Sequence, residues 1–220
     1  MSQPDWSSLG VRVHATANIE DNVSIGRGTS VWDNVHIRHS TTLGEQCLVG
    51  GKSLIAYGVS IGNRVKINSN AYICNAVTIE DGVMVSAGVI FTNDRFPRSC
   101  TSDLKQLRSS EPDEHTLPTL VKAGATIGAG TIIGNDLSIG RFAMVGMGSV
   151  VTRSVPDFHL VVGQPARSVG CCCRCGQLLI RFAELNGDGP HSVRCTDCQL
   201  LYEITGNVVR ELNPPSEGAS

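Results

Sequence analysis

The chain repeats itself every six residues. From Val13 to Phe91 an apolar residue stands at each sixth position without a miss: Val13, Ile19, Ile25, Val31, Ile37, Leu43, Val49, Ile55, Ile61, Ile67, Ile73, Ile79, Val85 and Phe91. A small or β-branched residue follows four places later, as at Ala17, Val23, Thr29, Val35, Thr41, Cys47 and Ser53. The phase resumes at Val121, Ile127, Ile133, Ile139, Val145 and Val151. Period six fits neither an amphipathic helix nor an alternating strand. A fixed period held this long predicts an all-β stacked repeat, the hexapeptide parallel β-helix. Each hexad gives a short strand and a turn, and coils pair through backbone hydrogen bonds about 4.8 Å apart. Abundant glycine (24 residues) and scarce aromatics (5%) suit such a turn-rich stack.

The pattern lapses over residues 94–118, where Pro97, Ser109 and His115 occupy the slots of inward aliphatics. A break of that length maps to an extruded loop, and long loops tend to carry function. Residues 1–10 read as a polar lead-in, 11–170 as the β-helix and 213–220 as a frayed tail. Between them, residues 171–212 change composition and read as a separate small unit with strands near QLLIRF, QLLYEI and NVVREL.

That unit carries the sharpest spacing in the chain. Cys172, Cys175, Cys195 and Cys198 form two C-x2-C knuckles, a spacing that suits tetrahedral zinc. Cys171 and Cys173 leave the register of the first knuckle open. Four thiolates would close the metal's coordination shell, so the expected zinc is structural. The net charge of −2 offers no basic tract for nucleic acid. The first ten residues have no apolar core like a signal peptide, and no run approaches a membrane span. A cytoplasmic protein, with nine reduced cysteines, is the expectation.

The segments ICNAVTIEDG, VIFTNDRFPRS, LVKAGATIGAG and VPDFHLVVGQPAR resemble the hexapeptide-repeat acyltransferases. The likeness is to nucleotide-sugar N-acetyltransferases, of the type acting on UDP-2-acetamido-3-amino-2,3-dideoxyglucuronate, with dTDP-3-amino-sugar acetyltransferases nearby. It implies left-handed coils of three hexads, against the usual right-handed crossover, and a homotrimer with sites between subunits. It implies acetyl-CoA as cosubstrate, bordered by Gly163, Pro165, Ala166 and Arg167. Acyl transfer to an amine asks for orientation and charge stabilisation more than for a base. Asn75 is the expected catalytic residue, its amide oxygen accepting from the attacking amine. Asn68, Asn70, Asn93, Asp94, Arg95 and Arg98 are expected on the sugar nucleotide.

Two other readings compete. A hydroxyl acceptor would need a histidine base, for which His36, His39 and His115 are available. A non-catalytic subunit could use the cysteine unit to bind a partner. The H-x-x-x-x-H spacing of the γ-class carbonic anhydrases is absent: His36 and His39 are three apart.

Overall fold

The computed structural model describes residues 6–215 apart from 186 and 188. Each hexad places a two- or three-residue strand on one of three parallel sheets. The first face begins with Arg12–Val13, the second with Asn18–Ile19 and the third with Ser24–Ile25. Within the regular coils strands pair at an offset of eighteen residues, as Arg12 with Ser30 and Tyr72 with Leu54, and the last coil closes at sixteen, Met144 with Leu160. Three hexads therefore make one coil. Across the interrupted stretch the offset becomes 42 residues, Met84 pairing with Thr126. The loop takes up 24 residues, a whole number of hexads, so the inward phase survives it.

Inward positions stack in columns. Ile37, Ile55, Ile73, Phe91 and Ile133 on the second face are fully buried, and the other faces match them. The small slots close the corners, where Thr29, Thr41 and Ser53 donate their hydroxyls to carbonyls of the next coil at 2.8–3.1 Å. Buried hydroxyls are thus satisfied without water. The third turn residue of nearly every hexad has positive φ, from Asn22 through Gly28, Asn34, Ser40 and Gln46 to Gly88. This conformation favours Gly and Asn. Gly26 has a different cause: a Cβ there would lie 2.5 Å from the Gly44 carbonyl carbon.

Both ends of the stack are covered. Trp6–Leu9 form a 3-10 helix whose Trp6 and Leu9 pack on the core. At the other end the first face turns antiparallel: His159–Gly163 pairs with Ala166–Cys172, which pairs with Leu178–Arg181. A three-stranded sheet follows, made of His191–Arg194, Leu201–Thr205 and Val208–Glu211. The first of these strands was not foreseen. The unit docks through an aromatic stack, Phe142 to Phe158 at 5.7 Å and Phe158 to Tyr202 at 5.6 Å. Arg174 lies 4.4 Å over Phe142 and donates to Glu211 at 2.6 Å. Part of the lead-in and of the tail (residues 1–5 and 216–220) falls outside the described residues.

Candidate functional site

Coil geometry decides which polar residues meet. Residues eighteen apart are neighbours, and residues six apart lie on different faces. Asn75 turns the corner from the second face to the third, and the long loop leaves the same corner one coil later. The Asn93 amide donates to the Asn75 carbonyl oxygen. Asp94, Arg98, Arg108 and Thr116 close a cleft of about 110 Å³ around the pair. Asp94 bridges to Thr116, which ties the two ends of the loop together. Arg108 donates to the Phe96 carbonyl at 3.0 Å and pairs with Asp113 at 3.4 Å.

Of the expected substrate residues, Asn93, Asp94 and Arg98 join Asn75. Arg95 does not line this cleft; its guanidinium lies 5.7 Å over the Phe96 ring. Asn68 and Asn70 sit one corner back, between the first and second faces. Asn70 occupies the positive-φ turn position (φ 60°) and donates its N–H to the Gly51 carbonyl. The hairpin Gly163–Ala166 returns to that same corner. Gly163 N–H donates to Ser149 Oγ at 3.2 Å and Gln164 Nε2 to the Gly148 carbonyl at 2.6 Å. Arg167 is exposed, its Nη1 donating to the Ala166 carbonyl at 2.8 Å. Within one chain, the Asn75 cleft and the 163–167 hairpin therefore stand on different corners.

The eighteen-residue ladder through Asn75 also holds His39 and Tyr57, whose rings stack at 5.2 Å. Neither Tyr57 nor Arg108 was singled out from the sequence. Counting back eighteen from Asn75 finds Tyr57, whereas nothing in the repeat points to Arg108. His36 is held by Glu20 at 2.7 Å, with Arg38 3.5 Å from the same carboxylate oxygen. The His39 backbone N–H, donating to Glu20, holds that carboxyl below its usual range. His115 packs edge-on to Phe96 at 5.3 Å. None of these three histidines lines the Asn75 cleft.

The cysteine cluster needs one correction. The four sulfurs within 4.8 Å of one another belong to Cys173, Cys175, Cys195 and Cys198, not to the set containing Cys172. The strand ends at Cys172 and a turn follows, closed by Gly176 N–H donating to the Cys173 carbonyl, so the turn gathers Cys173 and Cys175 and leaves out Cys172. Cys172 is buried, and burial pushes its thiol up to about 11. Cys173 Sγ lies 3.2 Å from Cys198 Sγ, and Cys175 Sγ lies 3.5 Å from Cys195 Sγ. Tetrahedral zinc with Zn–S of about 2.3 Å sets sulfurs roughly 3.8 Å apart, so the donor set fits. The backbone N–H of Cys198, then that of Asp197, pulls the Cys195 thiol down to about 7. Tyr202 Oη approaches Cys173 Sγ at 3.2 Å and accepts from Arg174 N–H at 3.1 Å.

His159 ties the end coil to this unit. Its Nε2–H donates to the Asn207 carbonyl at 2.7 Å, and Nδ1 accepts from Ser168 Oγ at 2.8 Å. Burial holds its pKa below the ordinary 6.5. The folded state therefore favours neutral imidazole, while the unfolded chain takes up a proton near 6.5. Its stabilising contribution is whole above that pH and is lost as pH falls below it. Thermal melts from pH 7 to 5 should show a falling midpoint, and His159→Gln should flatten that dependence.

Comparison with known proteins agrees with the repeat. A family model described as the GMPPB C-terminal domain matches residues 7–103. The chain is 42% identical over 94 residues to dTDP-3-amino-3,6-dideoxy-alpha-D-galactopyranose 3-N-acetyltransferase of Aneurinibacillus thermoaerophilus, covering 43% of this chain and 45% of the relative. It is 27% identical over 165 residues to the bifunctional protein GlmU of Synechococcus sp., covering 73% and 31%. Among solved structures, the polySia-specific acetyltransferase NeuO superposes with a TM-score of 0.50 at 19% identity, covering 72% of this chain and 73% of that one. The chain thus spans less than half the length of these two curated relatives. The resemblance to nucleotide-sugar N-acetyltransferases read from the sequence is borne out: a curated relative over part of the chain is a dTDP-3-amino-sugar N-acetyltransferase. No helix among the described residues is long and apolar enough to cross a membrane.

Proposed function

We propose that the protein transfers an acetyl group from acetyl-CoA to the amine of a nucleotide-linked amino sugar. One observation carries the reading: two side-chain amides, Asn75 and Asn93, are locked together in a loop-roofed cleft that no histidine lines. An amide oxygen has two lone pairs. Asn93 takes one and fixes the Asn75 carboxamide. The other is free to accept an N–H of a neutral amine, which aims the nitrogen lone pair at the thioester carbon. The C–N bond forms as the C–S bond breaks, and the departing CoA sulfur takes the amine's proton. Arg98 beside the cleft suits the negative diphosphate of the acceptor.

Gly163, Pro165, Ala166 and Arg167 are the acetyl-CoA side of the site. Because they stand on a different corner from Asn75, the complete site forms between copies of the chain, in a homotrimer of left-handed coils. The second face supports such an assembly: Tyr72, Ile90 and Ile132 form an outward column, each about 40% exposed. Residues 11–170 are the catalytic β-helix. Residues 171–212 are a zinc ribbon whose single structural zinc sits on Cys173, Cys175, Cys195 and Cys198. The enzyme works in the cytoplasm, where its cysteines stay reduced.

The test is thiol release from acetyl-CoA across a panel of UDP- and dTDP-linked amino and hydroxy sugars. Release with amino sugars, from a particle of about three times 23.4 kDa by light scattering, is the expected result. Release with hydroxy sugars alone would replace the amine acceptor by an alcohol. Silence throughout would remove the transferase reading.

A further inference from the structure

The corner that carries Asn68 also carries an unused surface. Trp32, Asp33, Gly50, Gly51, Asn68 and Ser69 surround an open groove of about 470 Å³ on successive coils. Trp32 is 52% exposed, and no ring contact or cation among the described residues covers its indole. A large apolar ring left half in water on a tightly wound solenoid leaves a flat face open to a ligand. Beside it, Gly50 and Gly51 are buried and bare. A Cβ on Gly50 would lie 2.6 Å from Ser69 N, and one on Gly51 would lie 2.5 Å from Asp33 Oδ1. Coil stacking enforces Gly50, whereas at Gly51 the nearest obstacle is the Asp33 carboxylate, and the two bare residues leave peptide planes next to the indole.

The polar groups at the rim keep hydrogen-bonding capacity among the described residues. Among the described residues Asn68 is bonded through its backbone, its N–H donating to the Val85 carbonyl and its carbonyl accepting from Ser53 Oγ. Asp33 Oδ2 accepts from Asn34 Nδ2 at 3.1 Å, which leaves acceptor capacity on Oδ1. A flat slot edged by one acceptor carboxylate and one amide matches a pyrimidine-2,4-dione. The carboxylate accepts the ring N–H, and the amide donates to a flanking carbonyl. A cytosine edge has no such N–H between two carbonyls.

The geometry points to this groove as the base subsite of the acceptor nucleotide, with Trp32 stacking on uracil or thymine and Asn68 and Asp33 reading its edge. This rests on the nucleotide-sugar reading above and deepens it. The 163–167 hairpin lies farther along the same edge, each coil adding about 4.8 Å. Donor and acceptor then enter one edge from opposite ends.

The chain has two tryptophans, so a Trp6→Phe background makes Trp32 the sole indole. In that full-length protein UDP and dTDP should quench the emission saturably, and CDP and ADP should do so at least tenfold more weakly. By calorimetry in the parent protein, Trp32→Ala and Asn68→Ala should each weaken UDP binding tenfold or more while the acetyl-CoA Kd stays within twofold. UDP binding that survives both substitutions overturns the subsite, as does equal quenching by CDP. The two readings fail separately. Thiol release with UDP binding indifferent to Trp32 removes the subsite alone. Base-selective quenching without thiol release removes the transferase alone.

Discussion

Asn75→Ala is expected to lower turnover ten- to a thousandfold, the range of about 1.4–4 kcal/mol for a lost transition-state contact. The acetyl-CoA Kd should hardly move, since the 163–167 hairpin is on another corner. Asn93→Ala should follow in the same direction with a smaller loss, because Asn75 stays present but loses the donor that fixes its amide. Glutamine in place of His36, His39 or His115 should cost less than either. One further measurement reads the interfacial arrangement. Asn75→Ala and Arg167→Ala chains damage different halves of the site, so refolding them together should restore a fraction of activity that neither holds alone. Full loss on a single histidine substitution, with Asn75→Ala near the parent rate, would replace the orienting amide by a general base.

The second large effect concerns metal. Purified protein should hold close to one zinc per chain, and Cys175→Ser/Cys198→Ser should hold none. Structural zinc binding is worth roughly 10–16 kcal/mol in small peptides, far more than the second core of Phe158, Cys173, Cys195 and Tyr202 can supply by packing. Stripping zinc should therefore expose the amides of residues 191–211 to hydrogen exchange while those of residues 30–90 stay protected. The register is separately readable: Cys173→Ser should release the metal and Cys172→Ser should keep it. The reverse pattern would restore the spacing read from the sequence.

The repeat was legible because a solenoid writes its core as a one-dimensional period, and every inward aliphatic from Ile19 to Val151 is buried. Lateral neighbours were harder to see. Asn68 and Asn75 look adjacent in sequence yet lie on separate corners, while Tyr57, Asn75 and Asn93 stack because eighteen residues return the chain to the same corner. The knuckle was misregistered by one residue, Cys172 for Cys173. A spacing rule counts residues but does not know where the strand Ala166–Cys172 ends and the turn begins. Asn70 could be read from the sequence either as a substrate contact or as a turn residue that tolerates left-handed backbone, and it sits at the recurrent positive-φ turn.

The two end covers have a consequence for solubility. Each terminal coil of a parallel stack presents a row of unpaired N–H and C=O groups, the same edge that lets strands from separate molecules add to one another. The Trp6–Leu9 turn blunts one edge. At the other, the antiparallel strand Ala166–Cys172 and the sheet docked on Phe158 through Tyr202 take the place where the next coil would sit. The hairpin of His159–Gly163 and Ala166–Cys172, with the docked sheet beyond it, thus occupies the edge at which another chain's strand could add. A chain cut back to the last coil would keep its columns of isoleucine but present an open strand edge to any neighbour, the geometry that favours edge-to-edge addition.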